Sequence, residues 1–267
     1  MAITAILGAG VMGETMLAGL LRAGRPAAEL VVAERRPERA QELEERYAVR
    51  VLTNLAAAET ATTLVLAVKP QDLGALLTEI APVVTQGDLV VSLAAGLSTA
   101  FIEARLPAGV AVVRVMPNTP ALVDQGMAAI CRGTTCTEAQ LDEAQALVSS
   151  TGRVVRIDEV QMDAVTAVSG SGPAYLFLVA EAMIAAGVDL GLPQDVVSEL
   201  VVQTLVGSAA MLRETGTEPA ELRRQVTSPG GTTAAAIAQL EAKGLRAAFL
   251  AAMTAARDRS IELGAGS

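Results

Sequence analysis

The sequence predicts an α/β protein in two parts: a doubly wound, mainly parallel sheet in the first half and an all-α second half. Three observations carry this. Short apolar runs alternate with helical patterns through the first half, the arrangement that builds a parallel sheet covered by helices on both faces. Gly8, Gly10 and Gly13 stand in G-x-G-x-x-G spacing, directly after the first apolar run and at the opening of the first helical pattern. After about residue 158 the strand-like runs stop and Ala-rich helical sequence continues to the end. This composition shift, with no Gly/Ser tether, sets the expected domains at 1–158 and 159–267.

The expected strands are 2–7 (AITAIL), 30–33 (LVVA), 63–68 (TLVLAV), 88–93 (DLVVSL), 111–116 (AVVRVM), 127–131 (MAAIC) and 153–157 (RVVRI). The early ones are nearly continuous in apolar residues, as strands buried on both faces are. Helical patterns lie at about 11–23, 37–47, 71–81 and 98–106, and a further helix at about 137–150 precedes the last strand. In the second half, helices at about 173–187 and 194–213 are apolar on most faces. A helix apolar all round is buried on all sides. The 109 residues from 159 to 267 are too few to surround two such helices, so a second subunit is expected to cover them. "SGSGPAY" reads as a helix-helix connection with Pro173 at the first helical position of the next helix, Gly170 and Gly172 allowing close approach, and Tyr175 as a core aromatic.

Composition removes whole classes of function. The net charge of -9 and the absence of any basic run argue against a nucleic-acid binder. The chain has no His, which takes away the commonest general acid/base and the commonest metal ligand, so Ser-His-Asp, Cys-His and His-metal chemistry are excluded. No metal site is expected. Cys131 and Cys136 are too few for a disulfide framework and read as free buried thiols suited to a reducing cytosol. No basic leader and no stretch of 18 uncharged apolar residues is found, so neither secretion nor a membrane span is expected, and the chain reads as cytoplasmic. Catalysis must rest on a bound cofactor, backbone groups, hydroxyls or carboxylates.

The glycine run supplies the cofactor. In a strand-turn-helix, Gly8 allows the tight turn, Gly10 lets the backbone approach a pyrophosphate and Gly13 permits close helix-strand packing. Gly8, Ala9, Gly10, Val11, Met12 and Gly13 are therefore the expected pyrophosphate loop of a Rossmann-like domain. Glu34 follows Gly13 by 21 residues, where an acidic residue takes the ribose 2′-hydroxyl of NAD. Arg35 and Arg36 come immediately after it and suit the 2′-phosphate of NADP. Two adjacent guanidiniums favour NADPH, with NADH as the alternative. Three further loops fall at carboxyl ends of expected strands, where open α/β sheets bind ligands: "AVKPQ" with Lys69 and Pro70, "SLAAGLS", and "RVMPNTPALV" with Asn118 and Thr119 between two prolines. Together they are expected to line the nicotinamide side. A second anion site is expected at "TSPGGTTAAAI", where a Pro-Gly-Gly turn feeds a helix start and leaves backbone N–H groups free.

Taken in order, "GAGVMG", "AVKP", "AAG", "MPNTPALV", "AVSGSGPAY" and "SPGGTT" closely resemble the pyrroline-5-carboxylate reductase family over essentially the whole chain. The resemblance implies a Rossmann domain followed by a helical dimerisation domain, and NAD(P)H-dependent reduction of 1-pyrroline-5-carboxylate to L-proline. It implies a homodimer with interlocked helical domains, and in many members a decamer built as a pentamer of dimers. Carried over by position, Asn54 matches a residue that contacts the adenosine half, and Ala67, Val68, Lys69, Pro70, Ala94, Ala95 and Gly96 match loops around the nicotinamide ribose. Ser228, Gly230, Gly231, Thr232 and Thr233 match the substrate loop, and Thr233 matches the threonine proposed to hydrogen-bond the substrate nitrogen. Arg35 and Arg36 fall where the family selects between cofactors, often with Ser or Thr, so the match leaves the preference open.

Two other readings share the first-half signals. One is another imine or 3-hydroxy-acid dehydrogenase with a helical second domain. Hydroxy-acid enzymes typically place a catalytic lysine early in that domain, whereas the only lysines here are Lys69 and Lys243. The other is a non-enzymatic NADP-binding regulator.

Overall fold

A computed structural model describes residues 2–265. The chain divides into two compact units: one takes the chain up to Ser171 together with the stretch from Ala256 onward, and the other is Gly172–Ala255. Met1, Gly266 and Ser267, included in the expected domain spans, lie outside the described residues.

The first unit is built on an eight-stranded sheet. Its strands are β1 (Thr4–Leu7), β2 (Leu30–Ala33), β3 (Arg50–Leu52), β4 (Thr63–Leu66), β5 (Leu89–Ser92), β6 (Ala111–Met116), β7 (Gly126–Arg132) and β8 (Gly152–Arg156). They run in the order β3-β2-β1-β4-β5-β6-β7-β8. All neighbours are parallel except β6 and β7, which pair antiparallel. The order reverses between β1 and β4, so the carboxyl ends of those strands form the switch-point crevice where ligands bind.

The helices of this unit are α1 (Val11–Arg22), α2 (Pro37–Tyr47), α3 (Asn54–Thr60), α4 (Pro70–Ile80), α5 (Thr99–Glu103), α6 (Glu138–Val148) and α7 (Met162–Val165). Every residue of β1, β2, β4 and β5 is buried, which is why their sequences are apolar without alternation. The period of two still sorts them. Ile6, Val32, Val65 and Val113 join Leu17 of α1 and Leu147 of α6 in one core. Ala5, Leu7, Leu64, Leu66 and Val112 join Leu73, Leu77 and Ile80 of α4 in the other. Truncating one of these buried leucines to Ala costs about 2–5 kcal/mol.

The expected strands and helices of this half all form, with ends shifted by a few residues. Two elements were not anticipated. β3 is three residues long at the sheet edge, and only Val51 and Leu52 are half-buried, too short and polar a run to read as a strand. α3 is seven residues long, started by Thr53, whose hydroxyl accepts from Ala56 N at 3.3 Å.

The SGSGP run is tighter than an open connection. Thr166–Gly170 form a π-turn in which Ser171 N donates to Thr166 O at 2.8 Å, and the chain bends at Ser171. The next helix, α8 (Gly172–Asp189), starts one residue before Pro173.

The second unit contains α8, α9 (Gln194–Thr215), α10 (Pro219–Gln225), α11 (Thr232–Ala242) and the first part of α12 (Leu245–Ala265). α8 and α9 pack closely at Gly187, where an added Cβ would lie 2.6 Å from Val197 Cγ1. Tyr175 meets Phe249 edge-on, with ring centroids 6.5 Å apart. Most of the apolar surface of these helices is open. Pro173 is the only buried residue of α8, and Val197 and Val201 are the only ones of α9. Phe177 and Leu178 are 67% and 64% exposed, and Leu200, Val202 and Val206 are more than half exposed. By length and composition Glu159–Asp189 and Gln194–Thr215 are also apolar enough to cross a membrane.

Candidate active site

The loop after β1 has the geometry that anion binding requires. Gly8 adopts φ +101°, and a Cβ there would meet Val68 Cγ1 at 2.9 Å and the Ala67 carbonyl at 3.0 Å. A Cβ on Gly13 would lie 2.0 Å from Gly8 O, so the first turn of α1 can close only over glycine. Gly10 caps α1 without a side chain and faces open space, with nothing within 4 Å of an added Cβ. Glu14 N is the first to find its helical acceptor, Gly10 O at 2.9 Å. The N–H groups of Val11, Met12 and Gly13 are thus the free donors of a twelve-residue helix. An open approach, free N–H groups and the positive end of a helix dipole fit a dinucleotide pyrophosphate.

Beside this loop lies a cavity of about 370 Å³. It brings together Gly8, Ala9, Gly10, Glu34, Arg35, Arg36, Asn54, Ala67, Val68 and Lys69. Val11, Met12, Gly13, Pro70, Ala94, Ala95, Gly96 and Asn118 do not line it. The wall missing from the sequence reading is α4, which contributes Gln71, Asp72, Ala75, Leu76 and Glu79. These five positions share one helical face, and that spacing after "VKP" was the signal available.

Electrostatics at the end of β2 are organised by Glu34. Its Oε1 accepts from Arg35 N at 2.9 Å, Arg36 N at 3.0 Å and Arg36 Nε at 3.2 Å, and its Oε2 accepts from Arg36 Nη2 at 3.2 Å. Burial pushes the Glu34 carboxyl up, but the hydrogen bonds from Arg36 and from the Arg35 and Arg36 N–H groups together hold it below the ordinary carboxylate range. The Glu34 hydrogen bond raises the exposed Arg36 in turn. Arg35 differs: among the described residues its guanidinium has no hydrogen-bond or ion-pair partner. Asn54 donates to Glu79 Oε2 at 2.8 Å, and both residues line the cavity.

The loops expected on the nicotinamide side stand at the carboxyl ends of β5 and β6. Ala94 is buried, and its N–H reaches Ser92 Oγ at 3.3 Å. Gly96 adopts φ +78° and packs under the end of α12, where a Cβ on Gly264 would lie 2.7 Å from Gly96 O. The same end of α12 is tied down by Ser260, a buried residue whose hydroxyl donates to Asp163 Oδ1 at 2.6 Å. Nothing in the sequence pointed to α12 as a support for this loop. Asn118 uses its side chain internally, donating to Ser169 O at 3.0 Å and accepting from Met127 N at 2.8 Å.

In the helical unit, Ser228–Gly231 form a turn closed by Gly231 N donating to Ser228 O at 3.0 Å, with Gly230 at φ +69°. Gly231, not a threonine, caps α11, and it does so without a side-chain bond. The first helical acceptor to be used is Gly231 O, by Ala235 N at 3.2 Å. Thr232, Thr233 and Ala234 therefore keep free N–H groups at the start of an eleven-residue helix. The half-buried Thr233 hydroxyl has no partner among the described residues.

A larger concavity of about 940 Å³ borders β7 and β8 and contains none of these loops. Its arginines are paired: Arg156 with Glu138 and Asp142, and Arg132 with Glu138; of its other carboxylates, Glu159 pairs with Arg114. Cys131, beside it, is free, and burial pushes its thiol up to about 12; burial raises the free Cys136 as well. Both stay protonated and unreactive near neutrality. No cluster of three or more His, Cys, Asp or Glu is placed to hold a metal among the described residues.

A switch-point crevice, a glycine loop at a helix start and an arginine pair at the end of β2 define a nicotinamide-dinucleotide-dependent oxidoreductase. Comparison with known proteins resolves the kind. Residues 159–263 match the pyrroline-5-carboxylate reductase dimerisation family, and residues 3–96 match the family described as NADP oxidoreductase, coenzyme F420-dependent. A pyrroline-5-carboxylate reductase of Mycobacterium tuberculosis is 45% identical over 98% of this chain and 97% of its own length, and one of Corynebacterium melassecola is 46% identical over 97% and 98%. The structure of a pyrroline-5-carboxylate reductase from Coxiella burnetii superposes with a TM-score of 0.94 at 36% identity, covering 98% of both chains. That of Plasmodium falciparum pyrroline carboxylate reductase with NADP bound gives 0.88 at 29% identity, also over 98% of both chains. The chain belongs to the pyrroline-5-carboxylate reductase family. It is an NAD(P)H-dependent oxidoreductase that acts on a small molecule and assembles as an oligomer.

Proposed function

We propose that the chain reduces 1-pyrroline-5-carboxylate to L-proline with NADPH, the final step of proline biosynthesis, NADH being the less favoured donor. The observation that carries this beyond family membership is the second anion cradle: free N–H groups at a helix start, opened by two glycines, in a chain whose first such site suits pyrophosphate.

The residues divide the work. The α1 N-terminus, from Gly8 to Gly13, would hold the pyrophosphate; Arg35 and Arg36 would meet the 2′-phosphate, Asn54 the adenosine half, and Ala67–Pro70 with Ala94–Gly96 the nicotinamide ribose. Bound NADPH supplies a hydride from nicotinamide C4 to the C=N carbon. The N–H groups following Gly230 and Gly231 would donate to the substrate carboxylate and fix the ring, so binding energy remote from the reacting bond is spent on orientation. The Thr233 hydroxyl bonds the imine nitrogen as its charge changes. Water protonates that nitrogen, which is compatible with a chain that lacks His.

The minimal unit in this reading is a homodimer that covers α8 and α9, and five dimers form a decamer. The exposed apolar side chains support coverage, and Glu181 and Glu199 within the helices favour a protein partner over lipid. Neither membrane nor nucleic acid is a partner, and the protein works in the cytoplasm. In this reading the functional boundary is set at 158/159; a dimerisation-family match that begins at residue 159 supports it, although the compact units divide at Ser171/Gly172. The test is NADPH oxidation with 1-pyrroline-5-carboxylate as sole acceptor: one proline per NADPH is expected, and cofactor binding without turnover would overturn the reading.

A further inference from the structure

Asn118 was placed among the cofactor contacts by its position in "MPNTP", yet its amide is engaged elsewhere. The β6-β7 pairing is antiparallel, with Met116 opposite Ala129. Extending that register by two residues sets Asn118 opposite Met127. Between them Pro117 has no N–H, and main-chain pairing of β6 stops at Met116. The Asn118 side chain continues the ladder in place of the backbone, Oδ1 accepting from Met127 N at 2.8 Å.

Its other end holds a carbonyl that the sequence leaves over. In a continuous helix Ser169 O would take the N–H of residue 173, but residue 173 is proline. Asn118 Nδ2 donates to Ser169 O at 3.0 Å instead. The contact falls in the π-turn Thr166–Gly170, and irregular helical turns of this kind concentrate at functional sites. A Cβ on Gly170 would lie 2.5 Å from Met116 Cε, so the turn sits hard against the end of β6. The carboxyl ends of β1, β4, β5 and β6 are consecutive in the sheet, so this fixed turn lies along the same edge as the cofactor loops.

We propose that Asn118 is a positioning residue: it bolts the π-turn Thr166–Gly170 to the end of β6 and so holds the substrate-side edge of the sheet in its reactive shape, without itself binding cofactor. The proposal rests on the imine-reductase reading above.

Pro173 supplies the means to separate positioning from mere hydrogen-bond satisfaction. Pro173→Ala restores an N–H that can reach Ser169 O. Four full-length proteins are compared: wild type, Asn118→Ala, Pro173→Ala and the double variant. Tm, NADPH Kd, and kcat and KM for 1-pyrroline-5-carboxylate are measured on each. Asn118→Ala should lower Tm and cut kcat by about 10- to 100-fold, the scale of a displacement near 1 Å, with NADPH Kd unchanged. The double variant should regain Tm but not kcat. Recovery of kcat along with Tm would overturn the proposal, as would wild-type kcat in Asn118→Ala or a fall in NADPH affinity that matches the fall in rate. Asn118→Asp keeps the acceptor for Met127 N and loses the donor; it should fold where Asn118→Ala does not, and show the same kcat defect. A wild-type protein inactive on this imine would instead refute the functional reading, a separate result.

Discussion

Glu34 grips Arg36 through both carboxylate oxygens, Nε and Nη2 each at 3.2 Å, while Arg35, the next residue along the chain from Glu34, carries a guanidinium with no partner among the described residues. The two arginines are therefore not equivalent. In the proposed reading Arg35 meets the 2′-phosphate unencumbered, whereas Arg36 shares itself with the Glu34 carboxylate.

Cofactor preference follows from that asymmetry. Arg35→Ala should remove a charge-assisted contact worth roughly 1.5–3 kcal/mol, lowering kcat/KM with NADPH by about 10- to 100-fold and leaving NADH nearly unaffected. Glu34→Gln keeps a hydrogen-bond acceptor but drops the charge that holds Arg36, so the NADPH/NADH ratio of kcat/KM should rise. An unchanged ratio in both variants would remove the arginines from phosphate recognition.

The proposed substrate cradle makes a steric prediction. A Cβ on Gly231 would lie 2.3 Å from Ser228 Oγ at the cap of α11. Gly231→Val should raise KM for the imine carboxylate by an order of magnitude or more while NADPH Kd stays constant. Thr233→Val keeps shape and loses the hydroxyl, at a cost of roughly 1–3 kcal/mol, or about 5- to 150-fold in rate. Wild-type kcat/KM in Thr233→Val would mean that the residue only packs.

Assembly is read from α8. Phe177 and Leu178 are more than 60% exposed in the single chain, an apolar surface typical of a large obligate interface. Light scattering should find no folded monomer at micromolar concentration. Leu178→Asp should give aggregated or unfolded protein; a well-behaved, active monomer in either case contradicts the dimer.

The buried thiols predict a pH effect of definite sign. The folded-state value of Cys131 is raised to about 12, so the neutral thiol favours the fold at neutral pH. That contribution is complete below the unfolded value of about 8.5 and is lost progressively as pH rises from there toward 12. A thiol reagent at pH 8 should leave Cys131 and Cys136 unlabelled in native protein and label both on denaturation. Rapid native labelling would show that the β7 edge opens.

The parallel sheet was legible because strands buried on both faces carry unbroken apolar runs, and the glycine loop because its context is strand-turn-helix. What the sequence concealed falls into two kinds. β3 and α3 are too short for either period to register, and Asn54 at the start of α3 was named only by its position in the family resemblance. Tertiary supports leave no local trace at all: Asn118 reaching Ser169, or Gly264 under Gly96, joins segments far apart in the chain through one side chain or one missing Cβ. The α4 wall of the cavity lies between, since its helical spacing was visible but nothing marked which face turned inward.

The central claim is an imine reductase that reads a carboxylate. The most direct measurement compares kcat/KM for 1-pyrroline-5-carboxylate and for 1-pyrroline on one preparation, following NADPH oxidation. The account predicts rapid turnover of the first, with one proline formed per NADPH, and a value lower by about 100-fold or more for the second, which lacks the anion that orients it. Equal values for the two imines would contradict it, as would oxidation of a 3-hydroxy acid in place of imine reduction.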